Sequence, residues 1–110
     1  MIEAVQSALR EALKIPEYDR TLRLIEHPAT HFAVPPGRSE KYTLVEITMF
    51  SGRSMNAKRA LYQAIVRHLS AAGVPANDIK ITLIETPPEN WGLRGGIPAS
   101  EIDLGFKIDV

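Results

Sequence analysis

The chain has 110 residues, enough for one domain with a single hydrophobic core and too few for two. Lys and Arg together number 13, as do Asp and Glu, so no bulk charge favours nucleic acid or an anionic membrane surface as a partner. Cysteine is absent, which excludes disulfides and thiolate chemistry, and the first residues lack an apolar run of signal or membrane length. We therefore predict a cytoplasmic protein.

The first part of the chain predicts a helix, a strand and a loop. From Ile2 to Leu13 the apolar residues recur at the spacing of a helix with one buried face. Residues 20–27 then alternate between two faces until Pro28, a pattern that predicts a strand. Residues 29–41 contain two adjacent prolines and a glycine and show neither period, so they are predicted to form a loop.

The second part predicts a strand, a helix and another strand. Residues 42–50 are rich in β-branched and aromatic side chains, as is typical of a buried strand. Ser54 can cap the following helix, and Gly73 lies where a left-handed C-terminal cap is expected. Residues 79–85 form the next predicted strand. A strand–helix–strand unit of this length is normally right-handed, with its two strands parallel.

The two parts contain an internal repeat. IPEYDRTLRLIEHP in residues 15–28 and VPANDIKITLIETP in residues 74–87 share Pro, Asp, Leu-Ile-Glu and a closing Pro, at an ungapped offset of 59 (78 − 19 for the two Asp residues). If the repeat is complete, a strand and turn of about 18 residues are missing before Met1. We therefore expect that Met1 is not the true start of the gene product. The alternatives are that unit one never had this strand, or that two amphipathic segments converged by chance.

These elements predict a single α/β domain of tandem βαβ units in which the first strand of unit one is absent. Residues 1–28 are the incomplete first repeat and residues 42–87 the second. The two helices are expected to pack on one face of a mixed sheet. Residues 88–110 form a tail without a counterpart in unit one, and residues 101–109 are expected to add a last short strand.

Three motifs together resemble the tautomerase superfamily. They are IPEYDR in residues 15–20, SGRS in residues 51–54 and ENWGLRGG in residues 89–96. The most similar branch contains malonate semialdehyde decarboxylase and related tautomerase-like proteins. The resemblance implies isomerase or decarboxylase chemistry on a small keto or unsaturated carboxylic acid, without a cofactor or metal. It also implies a homotrimer with active sites near the subunit boundaries.

The sequence departs from that family at its first residues. Family members begin with a proline whose secondary amine is the catalytic group, whereas this sequence begins Met1-Ile2. A terminal amine titrates near about pH 8 and can act as acid or base close to neutrality. All eight prolines of this sequence have acylated, non-basic nitrogens. Activity is therefore expected to be impaired in this chain.

Arg53 is the first candidate site residue, because a cation at the start of a helix is locally unfavourable unless it serves an anion or a partner. Its guanidinium and the N–H groups of the helix start would form a carboxylate-binding corner. In the decarboxylase-like pattern this turn carries two arginines, and here Ser51 replaces the first. The alternative is a solvated surface arginine.

The resemblance and the repeat supply the other candidates. Asp19 matches an acidic residue that the decarboxylase relatives use near the terminal proline, which makes it a candidate catalytic residue. Its counterpart Asp78 favours instead a structural role, such as a turn or cap, for both. Trp91 is expected to line an apolar pocket wall with Leu93 and Phe106, or else to be a trimer contact or a core residue.

Three functions are compatible with these sequence features. The first is a tautomerase-type enzyme acting on a small carboxylic acid, with Arg53 as the substrate-binding residue. The second is a non-catalytic small-acid-binding protein or structural oligomer of the same fold. The third is a regulatory βαβ module unrelated to tautomerases, because small α/β folds serve many purposes.

Overall fold

The computed structural model describes residues 1–16 and 21–105. The helices in this part are α1 (Ile2–Leu13) and α2 (Met55–Ala71), and the strands are β1 (Thr43–Phe50), β2 (Ile79–Thr86), β3 (Gly92–Leu93) and β4 (Ile97–Pro98). Short 3-10 helices cover Ala29–His31, Ala76–Asp78, Pro88–Asn90 and Ala99–Glu101. Both predicted helices and both predicted strands of unit two are confirmed.

Both ends of α2 are fixed by its own sequence. The Ser54 side chain accepts a hydrogen bond from the N–H of Ala57 at 3.1 Å, which satisfies one of the first donors of the helix. At the other end Gly73 has a φ of +100°, and the N–H of Val74 returns to the carbonyl of Leu69 at 3.0 Å. This geometry is that of a Schellman cap, and both cap predictions are confirmed.

β1 and β2 form a parallel pair in which Thr43 lies opposite Ile79 and Phe50 opposite Thr86. α2 is the crossover between them, as the βαβ pattern predicts. Along β1 the side chains alternate in burial, with Val45 buried on the face toward the helices. The opposite face of the pair is exposed in this single chain.

The core lies between the two helices and the inner face of the parallel pair. Its buried side chains are Val5, Ala8, Leu9 and Leu13 of α1, Val45 and Met49 of β1, Leu61, Ala64, Ile65 and Leu69 of α2, and Val74. Because both helices contribute to this core, they share one face of the β1–β2 pair, as predicted. Burying a Val, Leu, Ile or Met side chain contributes about 1.5–3 kcal/mol to stability relative to leaving it exposed.

Residues 21–27 do not form a strand, so the prediction of a strand over residues 20–27 is wrong for the part that is described. Leu22 packs against the core, but Leu24 and Ile25 are 49% and 60% exposed. A strand needs a neighbour that bonds its N–H and C=O groups. Of the two strand pairs in the described residues, neither includes this segment.

The sheet and the tail also differ from the prediction. Instead of one mixed sheet, the described residues form the parallel pair β1–β2 and a separate antiparallel pair, β3–β4. The last strand expected over residues 101–109 does not begin by residue 105, because the chain there follows a 3-10 helix with irregular structure. Residues 106–109 lie outside the described residues.

Candidate functional site

The two parallel strands end at the same edge of the sheet, and α2 begins there. Residues 51–54 form the turn from β1 into α2, and the N–H of Ser51 donates to the carbonyl of Thr86 at 3.1 Å. Gly52 has a φ of +119°, a conformation that favours glycine. In open α/β sheets, ligands bind at the carboxyl ends of the strands, which makes this edge the first place to look for a site.

The start of α2 presents backbone donors at this edge. Ser54 accepts the N–H of Ala57 through its side chain and the N–H of Lys58 through its carbonyl, both at 3.1 Å. The next donors of the first turn are the N–H groups of Met55 and Asn56, which Ser54 does not satisfy. Together with the helix dipole, these groups favour an anion at this position.

Arg53 lies immediately before the Ser54 cap and is only 7% exposed. Its Nη1 donates to the carbonyl of Phe50, the last residue of β1, at 3.3 Å. Its burial does not fit the alternative of a solvated surface arginine. The buried guanidinium places a cation at the N-terminal end of α2, which is the end that attracts anions. Its N–H donors lie close to the ends of the strands.

Two aromatic side chains pack against each other at the same edge. The rings of Phe50 and Trp91 lie 4.9 Å apart between centroids and are tilted by 55°. The Trp91 indole N–H donates to the carbonyl of Thr86 at 3.2 Å, the same carbonyl that accepts the N–H of Ser51. The structure thus brings together Arg53 and Trp91, two predicted site residues, through their shared neighbour Phe50.

An ion pair between Lys58 and Glu85 crosses the same edge. Their side chains are 22% and 30% exposed, so both remain partly accessible to solvent. The sequence pattern does not single out these two residues, nor Phe50 and Thr86. The available signals were weak: Glu85 closes the repeated Leu-Ile-Glu motif, and Lys58 lies one helical turn after the cap.

Leu93 is the one other predicted site residue within residues 1–16 and 21–105. Leu93 is half-buried in β3. Asp19 and Phe106 lie outside the described residues, so their predicted roles stay predictions. A separate open cavity of about 510 Å³ is lined by Pro88, Glu89, Ala99, Ser100, Ile102 and Leu104, none of which is a predicted site residue.

Asp78 has the structural role that its repetition favours. Its carboxylate accepts a short hydrogen bond from the Ser39 hydroxyl and a second one from the Ser39 N–H at 3.1 Å. These bonds, helped by the charges of Arg38 and Lys41, hold the pKa of Asp78 below its ordinary value of 3.8. Asp78 therefore anchors the long loop between the repeats to the start of β2.

Residues 1–16 and 21–105 contain neither a membrane-spanning helix nor a cluster of metal ligands. No helix there is long and apolar enough to cross a membrane. No three or more His, Cys, Asp or Glu side chains there are grouped so that they could hold a metal ion. His27 packs its ring against Phe32, with 5.4 Å between ring centroids.

Comparison with known families identifies the class of protein. Residues 19–94 match the family model described as tautomerase enzyme, and the chain belongs to this family. A 2-hydroxymuconate tautomerase of Comamonas testosteroni is 34% identical over 58 residues, which cover 52% of this chain and 90% of that protein. A probable tautomerase of Ralstonia nicotianae is 33% identical over 58 residues, covering 52% of this chain and 81% of that protein.

Solved structures agree with this assignment. The crystal structure of FG41 malonate semialdehyde decarboxylase inhibited by 3-bromopropiolate has a TM-score of 0.79 and 30% identity, and the match covers 88% of this chain and 78% of that chain. An asymmetric trimer of fused 4-OT has a TM-score of 0.79 with 21% identity, covering 90% and 81%, and shows the fold alone. The predicted superfamily and α/β fold class are confirmed.

Proposed function

We propose that this protein binds a small keto or unsaturated carboxylic acid at the edge where β1 and β2 end, with Arg53 holding the carboxylate. The observation that carries this proposal is the burial of Arg53, at 7% exposure, beside the start of α2. The guanidinium and the N–H groups of Met55 and Asn56 would supply charge-assisted hydrogen bonds. Phe50 and Trp91 would cover the carbon skeleton of the acid.

The proposed chemistry is proton transfer of the tautomerase type, with decarboxylation of a keto acid as the related alternative. Both reactions build negative charge on the oxygen of an enolate, and a cation fixed nearby lowers the energy of that state. Two relatives support this class by their names, one a 2-hydroxymuconate tautomerase and one a malonate semialdehyde decarboxylase. Arg53 would bind the substrate and stabilise this charge.

Proton transfer also needs a group that can act as acid or base near neutrality. The nitrogens of all eight prolines in these 110 residues are acylated and cannot take that role. We therefore propose that the 110-residue chain transfers protons poorly. The same observation favours a second candidate function, a non-catalytic small-acid-binding or structural oligomer of this fold.

The sequence offers a matched control for Arg53. The tripeptide Gly-Arg-Ser occurs twice, as residues 37–39 and 52–54, but Arg38 lies exposed in a loop. Arg53→Ala should weaken succinate binding by about 1.5–3 kcal/mol, the range for a hydrogen bond to a charged group. Arg38→Ala should leave it unchanged. Equal binding by wild type and Arg53→Ala in calorimetry would remove Arg53 from the site.

The reaction can be tested with the substrate that the relatives name. Ketonisation of 2-hydroxymuconate by the 110-residue chain should be slow, and Arg53→Ala should abolish what remains. The decay of the dienol absorbance measures this rate against the uncatalysed reaction. A fast rate that Arg53→Ala does not change would contradict the proposal. Succinate binding without any catalysis would favour the non-catalytic small-acid-binding function.

We further propose that the chain forms a homotrimer. Leu44 and Ile84, on the face of the β1–β2 pair opposite the helices, are 41% and 46% exposed. The register places these two apolar side chains at opposite ends of the face, each exposed where a neighbouring subunit could cover it. The trimers of fused 4-OT support this assembly by likeness of fold. Sedimentation that shows a monomer at micromolar concentration would overturn it.

A further inference from the structure

We infer that Trp91 positions Arg53 for the acid, and that it does so through the N–H group of its indole. This role belongs to the N–H donor and is separate from the apolar contact proposed above for the ring. The inference rests on the proposed function, because it concerns how the same arginine is held. Trp91 is in this role a positioning residue, since it acts on the acid through Arg53.

The tail of the chain fixes the backbone of Trp91. Its N–H donates to the carbonyl of Pro88 at 3.1 Å, and its carbonyl accepts the N–H of Ala99 at 2.8 Å. Ala99 is itself buried, at 2% exposure. With both its backbone groups bonded, Trp91 has little freedom in the direction in which its side chain leaves the tail.

The indole N–H joins this tail to the end of β2. It donates to the carbonyl of Thr86 at 3.2 Å, and the same carbonyl accepts the N–H of Ser51 at 3.1 Å. A carbonyl oxygen has two lone pairs and can accept both donors. One oxygen therefore connects Trp91 to the first residue of the turn that leads from β1 into α2.

The indole ring joins the tail to the end of β1. It packs on the ring of Phe50, and the carbonyl of Phe50 accepts Nη1 of Arg53 at 3.3 Å. Phe50 and Ser51 are consecutive in the chain. Trp91 is therefore connected to both residues from which the turn to Arg53 starts, to one through its ring and to the other through its N–H.

These two connections bear on how well Arg53 can hold a carboxylate. Charge-assisted hydrogen bonds from a guanidinium are directional, and a side chain that is ordered before binding loses less entropy when the acid arrives. Without the indole N–H, only the ring contact would hold Trp91 against Phe50. Arg53, which is bonded to the Phe50 carbonyl, would then sample more orientations, and the affinity for acids would fall.

The competing explanation is that Trp91 serves the site only as an apolar wall. A wall depends on the size and shape of the ring and not on a donor that is bonded to the backbone. The two explanations separate when Trp91 is replaced by 3-benzothienylalanine through genetic-code expansion. In this analogue a sulfur atom takes the place of the N–H group, so the ring keeps its size and loses the donor.

The expected result of this replacement is weaker binding of succinate in calorimetry, by about threefold to tenfold, the range for one hydrogen bond. In the Arg53→Ala background the same replacement should change the affinity by less than about twofold, because no arginine is left to position. Ser39→Ala is the control, since it removes a hydrogen bond to Asp78 near the other end of β2. It should lower stability and leave the affinity for succinate unchanged.

A second variant, Trp91→Phe, covers the case in which the analogue does not fold. Acetate has almost no carbon chain, so it tests the carboxylate contact, and Trp91→Phe should weaken it about threefold or more. Full affinity with the analogue, an equal loss with and without Arg53, or a loss in Trp91→Phe for butyrate but not acetate would overturn the inference and leave the proposed function standing. Binding that does not depend on Arg53 when Trp91 is intact would instead overturn the proposed function.

Discussion

The two repeat units carry the same residue pattern, but among the described residues only unit two folds it into a strand. Leu83, which lies 59 positions after Leu24 (83 − 24), belongs to β2 and packs against the core, whereas Leu24 is 49% exposed. β2 is paired with β1 along its whole length. Residues 21–27 have no strand neighbour in the described part of the chain. An alternating pattern therefore supplies a tendency, and a hydrogen-bonding neighbour decides whether a strand forms.

The largest expected effect is on stability, and it is tested at two leucines in equivalent positions of the repeat, Leu83 and Leu24. Leu83→Ala should lower the free energy of unfolding by about 2–3 kcal/mol, because it removes apolar contacts from the core. Leu24→Ala should cost less than about 1 kcal/mol, since half of that side chain is already exposed. Urea unfolding of both variants measures the difference. Equal losses would mean that residues 21–27 pack in solution as β2 does.

A smaller effect is expected at the glycines of the two Gly-Arg-Ser tripeptides. Gly52 and Gly37 have φ values of +119° and +83°, so alanine at either position should cost about 1–3 kcal/mol in backbone strain. Only Gly52→Ala should also weaken succinate binding, because it displaces the turn that holds Arg53. Unfolding and calorimetry on both variants test this. Weaker binding in Gly37→Ala alone would contradict the proposal, because it would place the site at the loop between the repeats.

The smallest expected effect concerns the loop anchored by Asp78. The pKa of this carboxyl is lowered on folding, so its contribution to stability is present above about pH 3.8 and is lost as the pH falls below that value. Ser39→Ala removes the hydroxyl donor to Asp78 and should therefore reduce the change in unfolding free energy over this pH range. Ser70→Ala, at an exposed position of α2, serves as the control. Unfolding measured from pH 6 to pH 2 tests the prediction, which identical profiles for both variants would contradict.

Local signals account for what the sequence could predict. The cap at Ser54 and the left-handed residue at Gly73 involve neighbours within one helical turn, and the parallel pair follows from the short crossover. The contact between Phe50 and Trp91 joins residues 41 positions apart (91 − 50), and no local pattern encodes it. The Lys58–Glu85 pair likewise depends on the path of the chain. The prediction of a strand over residues 20–27 is wrong for the described part because strand formation also requires a hydrogen-bonding neighbour. The sequence of the segment itself does not specify that neighbour.

The central claim is that unit two holds a carboxylate site where β1 and β2 end. The most direct measurement is a titration of the ¹⁵N-labelled chain with butyrate, followed by NMR. We predict chemical-shift changes at the N–H groups of Met55 and Asn56 and at the Trp91 indole, with none at Leu24 and Ile25 in the matching segment of unit one. These changes should vanish in Arg53→Ala. Shifts confined to unit one, or shifts in unit two that persist without Arg53, would contradict the claim.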